Sequence, residues 1–548
     1  MHIPHFHLHK GPKGVRTISY EQLLSEDDSY ASEKLSEDHV TEVHFVTDKD
    51  EDSNASGESR GSMELLENCF SLLHAQDDTS KFVSLTMLAK LLNDHPNLIF
   101  KCWERMDMKF LDRLLLSTHY EYVDLGVSIL LAFCSEEAIL RSYEVKKRVS
   151  TLLQCCLKHY DLCIPVICTL SSNPKSAKYL LYYTSFIINE FPFEQAFEIL
   201  SNALYALDNV QTYMRPIFQG IDKRRGWKLD CTFSFFSDLF SRFPVQSWYS
   251  EAIRANLQPL MDAVVERFIT DKNLSSATVI LSNLLKAAGP ASIMPNDGFM
   301  ILVIGRCSAE IRGSLGMLVK AVGQKGKHGT VSYTVCECYE VLGLLIRYLC
   351  ENCDVLAQRI EPDKFFQLQR SLTELFSDTM DFLRDAWDNN KNRDNLASHV
   401  TVISAVATLC LWLTEDDSQY AQASGLMDIF VYLWRHSWSN GIDYAKWISV
   451  ALPSMLSNKV FFKAFKDFDA WKVVYDDFIK CNDDLKGDKS FNDYILSTNE
   501  EDGEDERLAQ AIQDFHILIQ LNSLVPQSIW NDDIWQEPYW KNLLESNF

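Results

Sequence analysis

Residues Phe299–Cys350 read FMILVIGRCSAEIRGSLGMLVKAVGQKGKHGTVSYTVCECYEVLGLLIRYLC. In the second half Val335, Cys338, Leu342, Leu345 and Leu349 recur at steps of three and four, which puts them on one helical face. The first half is apolar almost all round, yet it carries Arg306, Glu310 and Arg312. A helix that apolar belongs between other helices, and charges within it need partners. Arg306 and Glu310 are four apart and share a face, while Arg312 lies on another. These three residues are structural ion-pair candidates. We expect Glu310 to pair with an arginine of its own or a neighbouring helix and to fix the register of adjacent repeats. The alternatives are a plain surface pair, and arginines that bind an acidic partner segment.

The same pattern extends outward. Leu65, Leu66, Cys69, Phe70, Leu72 and Leu73 form one amphipathic face, and Phe82, Leu85, Leu88, Ala89 and Leu92 form the next. Gln76–Ser80 lies between them, and Asn93-Asp94-His95-Pro96 ends the pair. This is a helix–turn–helix unit of about thirty residues, the size of one solenoid repeat. Further apolar helical runs follow at Phe110–Leu116, Val123–Phe133, Val149–Leu157, Leu162–Leu170, Ala177–Ile188 and Phe193–Leu207. Cys231–Phe240, Ala252–Phe268 and Ala277–Ala288 continue the series, with Pro244, Pro290, Pro295 and Pro362 marking breaks. Strand alternation is almost absent. The fold class is all-α, an ARM/HEAT-like α-solenoid in which helix pairs stack into a superhelix, read from cadence because no strict period stands out. Residues 1–62 read as a disordered acidic tail, 63–480 as the repeat domain, 481–507 as an acidic loop, and 508–548 as a final helix with a Trp-rich cap.

Composition narrows the function. The net charge of −24 argues against nucleic acid, whose phosphates require Lys and Arg. The 15 cysteines are scattered along helical runs and read as reduced core thiols. No apolar h-region follows Met1, so no secretion signal is expected, and the cytoplasm is the expected location. Ala397–Leu413 lacks Asp, Glu, Lys and Arg, but it is short for a membrane span, contains His399 and runs out into Glu415-Asp416-Asp417. It reads as a buried solenoid helix, with peripheral membrane association through it as the alternative.

Motifs for chemistry fail on context. Gly57-Glu58-Ser59-Arg60-Gly61 has the spacing of a nucleophile elbow but follows an acidic tail, not a strand. Cys336 and Cys338 would point about 200° apart on a helix, so with Cys350 and Cys353 they do not form a zinc quartet. Gly323–Gly329 lacks the spacing and the Ser/Thr of a phosphate loop. His2, His5, His7 and His9 form at most a weakly chelating tail. No catalytic residue, metal or cofactor is expected. For partner binding the candidates are the basic patch around Lys223, Arg224 and Arg225, which a solvated loop would also explain, and Trp530, Trp535 and Trp540, which would serve equally as a cap on the array.

Four stretches together resemble the neurochondrin family: SLLHAQDDTSKFVSLTMLAKLL from Ser71, RCSAEIRGSL from Arg306, CECYEVLGLLIRYL from Cys336, and ATLCLWLTEDD from Ala407. The likeness runs over roughly residues 63–545 and leaves out the acidic N-terminal extension. The resemblance implies an all-helical, ARM-like adaptor with no catalytic residues to carry over. Animal members of that family are linked to neurite outgrowth, restraint of calmodulin-dependent kinase phosphorylation, receptor trafficking and some membrane association. The expected function is a non-enzymatic scaffold for protein partners in signalling or trafficking. The rivals are a protein anchored to membrane through 397–413 and an unrecognised helical enzyme.

Overall fold

The computed structural model describes residues 58–75, 77–254, 256–270, 274–322, 329–437, 442–486, 506–522, 524–526, 529–531 and 540. Among them there is helix and no strand, as the three- and four-residue spacing requires. The chain is an all-α solenoid. Its helices group into two compact units, Met1–Leu207 and Asp208–Phe548, where the sequence reading had one repeat domain over 63–480.

The first unit contains α1 (Glu58–Leu73), α2 (Asp78–Asp94), α3 (Met108–Leu115), α4 (Tyr120–Cys134), α5 (Tyr143–Cys156), α6 (Tyr160–Ser171), α7 (Pro174–Leu181) and α8 (Phe193–Leu204). Helix α1 packs on α2, and α2, α4, α6 and α8 each pack on the next. Helices α3, α5 and α7 make the second layer. The polar breaks act as caps: Asp77 accepts from the Ser80 N–H, Ser142 from Val145, and Asn173 from Lys175 with Pro174 in the first turn. Gly126 sits where α4 crosses α3, and a Cβ there would come within 2.9 Å of the Leu114 Cβ. Helix α1 starts at Glu58, not Met63, and Ser62 is already buried. The polar ESRGS sequence hid that first turn. Ser59 therefore lies in a helix and not in an elbow.

The second unit contains α9 (Gln211–Lys223), α10 (Asp230–Arg242), α11 (Gln258–Thr270), α12 (Ser275–Ala288), α13 (Asp297–Ala321), α14 (Thr330–Glu351), α15 (Pro362–Asn389), α16 (Val400–Glu415), α17 (Met427–Arg435), α18 (Ala445–Met455), α19 (Trp471–Lys486) and α20 (Glu506–Gln520). One layer runs α10, α12, α14, α16, α18, α20, each helix packed on the next. In the other, α11 packs on α13, α13 on α15, and α17 on α19. The predicted face of α14 is buried, including Val335, Cys338, Leu342, Leu345 and Leu349. Tyr339 of α14, also buried, shares a 2.9 Å hydrogen bond with the Thr379 hydroxyl of α15 and so ties the layers together.

The charges of α13 are arranged differently from expectation. Arg306 and Glu310 are half-buried, and Glu310 makes no ion pair among the described residues. Arg312 makes cross-helix pairs: its Nε lies 2.6 Å from Asp378 Oδ2 and its Nη1 3.2 Å from Glu374 Oε2. Those carboxylates are four apart on α15 and meet the Arg312 side of α13. At about 40% exposure Arg312 is solvent-screened, so each pair contributes under ~1 kcal/mol. Register between α13 and α15 rests on apolar packing instead, with Val303, Ile304, Cys307 and Ile311 buried.

Ala397–Leu413 spans the end of one helix and most of another. Ala397 closes the short helix Arg393–Ala397, and His399 caps α16, its Nδ1 accepting from the Thr401 N–H at 3.3 Å. The apolar side of α16 is covered by α14 and α18, and no described helix is long and apolar enough to cross a membrane. Cys338 faces the core, while the Cys336 sulfur lies 3.9 Å from the Thr401 hydroxyl of α16, so the two thiols diverge. Cys350 is half-buried and Cys353 exposed. The four N-terminal histidines and residues 323–328 lie outside the described residues.

At the C-terminal end two expectations change. Helix α19 continues to Lys486, with Cys481 and Asn482 buried, so the boundary at 480/481 falls inside a helix. The Asp and Asn residues that suggested a loop occupy turns whose other side is apolar. Trp540 is fully buried, 4.8 Å from the Phe478 ring and 5.3 Å from that of Phe515, and donates to Asn482 Oδ1 at 3.0 Å. It is core, not a partner-binding side chain, because α19 and α20 have an apolar seam that must be covered. Trp530 is half-buried, and Trp535 lies outside the described residues. We predict that Trp540→Ala costs about 3–5 kcal/mol, measured by urea unfolding. An unchanged midpoint would contradict the capping role.

Candidate functional site: a cation-rimmed trough

Helices that stack in a layer use one side against the core and leave another free. Along α12, α14, α16 and α18 the free sides line a trough of about 350 Å³. Its positions recur at helical spacing: Glu340, Gly343, Leu344 and Arg347 on α14, then Ala407, Thr408 and Leu411 on α16, then Lys446, Trp447 and Val450 on α18. The surface is mostly apolar. Val450 is 55% exposed, and Leu344, Leu411 and Trp447 are half-buried, with the Trp447 ring edge-on to Tyr444. Lys286, Arg347 and Lys446 are exposed at its edges. Lys286 is held 2.5 Å from Glu340 Oε1.

A second hollow, of about 380 Å³, shares Lys286 and Glu340 with the first and is bounded by Phe243, Pro244 and Glu337. Glu337 and Glu340 are three apart on α14. Glu340 is satisfied by Lys286 and by the Ser282 hydroxyl, which donates to its Oε2 at 2.5 Å. Glu337 is less well placed: its buried Oε2 has no hydrogen-bond partner. Burial, and then the neighbouring Glu340 charge, push its carboxyl up to about 7. The nearby Cys336 thiol is pushed up as well, mainly by burial, so it is not an activated nucleophile.

The candidates read from the sequence lie elsewhere. Arg306, Glu310 and Arg312 are on α13, which does not line the trough. Lys223, Arg224 and Arg225 end α9. There Arg225 takes a left-handed φ of 53°, and the Gly226 N–H returns to the Ile221 carbonyl at 2.9 Å. That turn winds round Trp227, which stacks on Phe218 and Phe236 and donates to Asp222. Lys223 and Arg225 are exposed, Arg224 is half-buried, and the neighbouring Lys228 pairs with Glu266. The patch is a structured helix end with acidic neighbours. The trough had a faint sequence signal: Leu344, Trp447 and Val450 intrude among charges on the side of each helix that faces away from the core.

Glu337 gives a pH prediction. Its folded-state value lies above the ordinary 4.5, so between about pH 4.5 and 7 the folded protein holds a proton that the unfolded chain releases. Its contribution is fully present below that window and is lost as pH rises through about 7. In thermal melts over this range, Glu337→Gln should gain stability relative to the unsubstituted protein as pH rises. A difference independent of pH would contradict the assignment.

The model of the neurochondrin family matches residues 60–182 and 218–466. Among solved structures the chain is similar to the crystal structure of an engineered protein, at 13% identity and a TM-score of 0.46, over 82% of this chain and 98% of that one. The family match takes in α2–α7 and α10–α18, including every residue that lines the trough, and covers well over half of the sequence; the chain belongs to the neurochondrin family.

Proposed function

We propose that the protein is a non-enzymatic interaction scaffold in signalling or trafficking. Its second unit would bind an acidic partner segment whose apolar side chains enter the trough along α12, α14, α16 and α18. The observation that carries this reading is the pairing of an apolar floor, with Val450 more than half exposed, and the three edge cations Lys286, Arg347 and Lys446. On a chain of net charge −24 such a patch is a local exception. It attracts an acidic segment to one place while the rest of the surface repels it. Side chains at three- and four-residue spacing on the partner would match the helical spacing of the floor. The cytoplasm is the location we propose. Anchoring through 397–413 is not favoured, because the apolar side of α16 is already taken up by α14 and α18.

The test is affinity capture of partners by the full chain, identified by mass spectrometry, beside the Arg347→Glu/Lys446→Glu variant. Both sites are exposed, so the melting temperature should be unchanged. Binding of an acidic partner should weaken by about tenfold or more and lose its salt sensitivity. An unchanged partner set and affinity would refute the trough as the binding surface.

A further inference from the structure

The acidic N-terminal stretch lies outside the described residues and before residue 60, where the family match begins. Between Glu21 and Gly57 it holds twelve acidic residues and two lysines. One part of it joins that charge to apolar side chains at helical spacing: Ser19-Tyr20-Glu21-Gln22-Leu23-Leu24-Ser25-Glu26-Asp27-Asp28. Tyr20, Leu23 and Leu24 stand three and four apart, the spacing that groups side chains on one side of a helical turn. Ser19 and Gln22 have the spacing of a capping box. Glu21, Glu26, Asp27 and Asp28 accompany them, with no Lys or Arg. The other apolar run, Val43-His44-Phe45-Val46, sets Phe45 off the side that Val43 and Val46 would share.

The trough fits what residues 19–28 carry. Its floor runs from Leu344 of α14 past Leu411 of α16 to Trp447 and Val450 of α18. Packed helix axes lie about 8–10 Å apart, so a floor crossing three helices is about 20 Å wide. Ten residues span about 15 Å as helix and about 33 Å extended, which brackets that width. Arg347 and Lys446 are exposed at the edges, and Lys286 sits beside Glu340. On a chain of net charge −24, most of the surface repels an acidic segment and this patch attracts it. Twenty-nine residues separate Asp28 from Glu58, about 95 Å when fully extended.

We propose that residues 19–28 occupy the trough of their own chain, Tyr20, Leu23 and Leu24 on the apolar floor and Glu26, Asp27 and Asp28 towards Arg347 and Lys446, so that an outside partner must displace them. The inference rests on the trough being the binding surface and adds the regulation of that surface. A tethered segment competes at a fixed local concentration, which lowers the apparent affinity of every outside ligand of the same site.

The experiment uses the full chain with a photoreactive residue at Val450 and no partner present. Irradiation should join Val450 to a peptide containing Tyr20–Asp28, with a yield that falls as salt is raised and does not change with protein concentration. The capture should disappear in a full-length variant with Tyr20→Ser, Leu23→Ser and Leu24→Ser. The second readout is a fluorescein-labelled synthetic peptide of residues 19–28. It should bind that triple variant about tenfold or more tightly than the parent, and lose this binding when Arg347→Glu and Lys446→Glu are added. Capture of residues 43–52 in place of 19–28, or no capture of the chain together with equal peptide binding to parent and triple variant, would overturn the proposal. A crosslinking yield that rises with protein concentration would assign the segment to a second copy and overturn the intramolecular contact. If the peptide binds neither protein while an acidic partner still depends on Arg347 and Lys446, this inference falls and the scaffold reading stands. If neither peptide nor partner depends on Arg347 and Lys446, both fall.

Discussion

The second unit depends on the burial of α14. Val335, Cys338, Leu342, Leu345 and Leu349 are closed off as α14 packs against α12, α13 and α16, and the Tyr339–Thr379 hydrogen bond fixes one layer on the other. No helix of such a stack can cover its apolar side alone, so each repeat is stable only through its neighbours. The same constraint acts at the end of the array. There Trp540 fills the seam between α19 and α20, against Phe478 and Phe515. The ion pairs of Arg312 lie on the surface of this arrangement and add little to it.

Stacking also decides which surface remains for function. Once α12, α14, α16 and α18 have spent one side on the core, the free sides align and form the trough with its three edge cations. Under the proposed reading, partner binding and folding draw on different residues of the same helices. Arg347 can be changed without touching Leu342 or Leu345. The Glu337–Glu340 pair is the exception, because it is buried enough for its charge to affect stability while bordering the surface a partner would meet.

Much of the fold was legible because three- and four-residue spacing records helix burial directly. The faces at Leu65–Leu73, Phe82–Leu92 and Val335–Leu349 could be drawn from the sequence. What depends on one helix meeting a distant one could not. Which acidic groups Arg312 of α13 meets is set by where Glu374 and Asp378 of α15 come to rest, so the pairing expected for Glu310 could not be read from α13 alone. Cys481 and Asn482 sit in a polar run whose buried side shows only when α20 is laid against it. The trough needs the relative register of four helices, which the α14 sequence alone does not contain. The basic run at Lys223–Arg225 stood out by composition, yet it winds round the buried Trp227.

The most direct test of a solenoid that binds through its trough is site-specific photo-crosslinking. A photoreactive residue would be placed at Val450, in the trough, and in a second protein at Met317, which is exposed on α13. After irradiation of the partner complex, the crosslinked peptides would be sequenced. The account predicts covalent capture from Val450 of an acidic segment bearing apolar residues, and none from Met317. Crosslinks from Met317 with none from Val450 would contradict it.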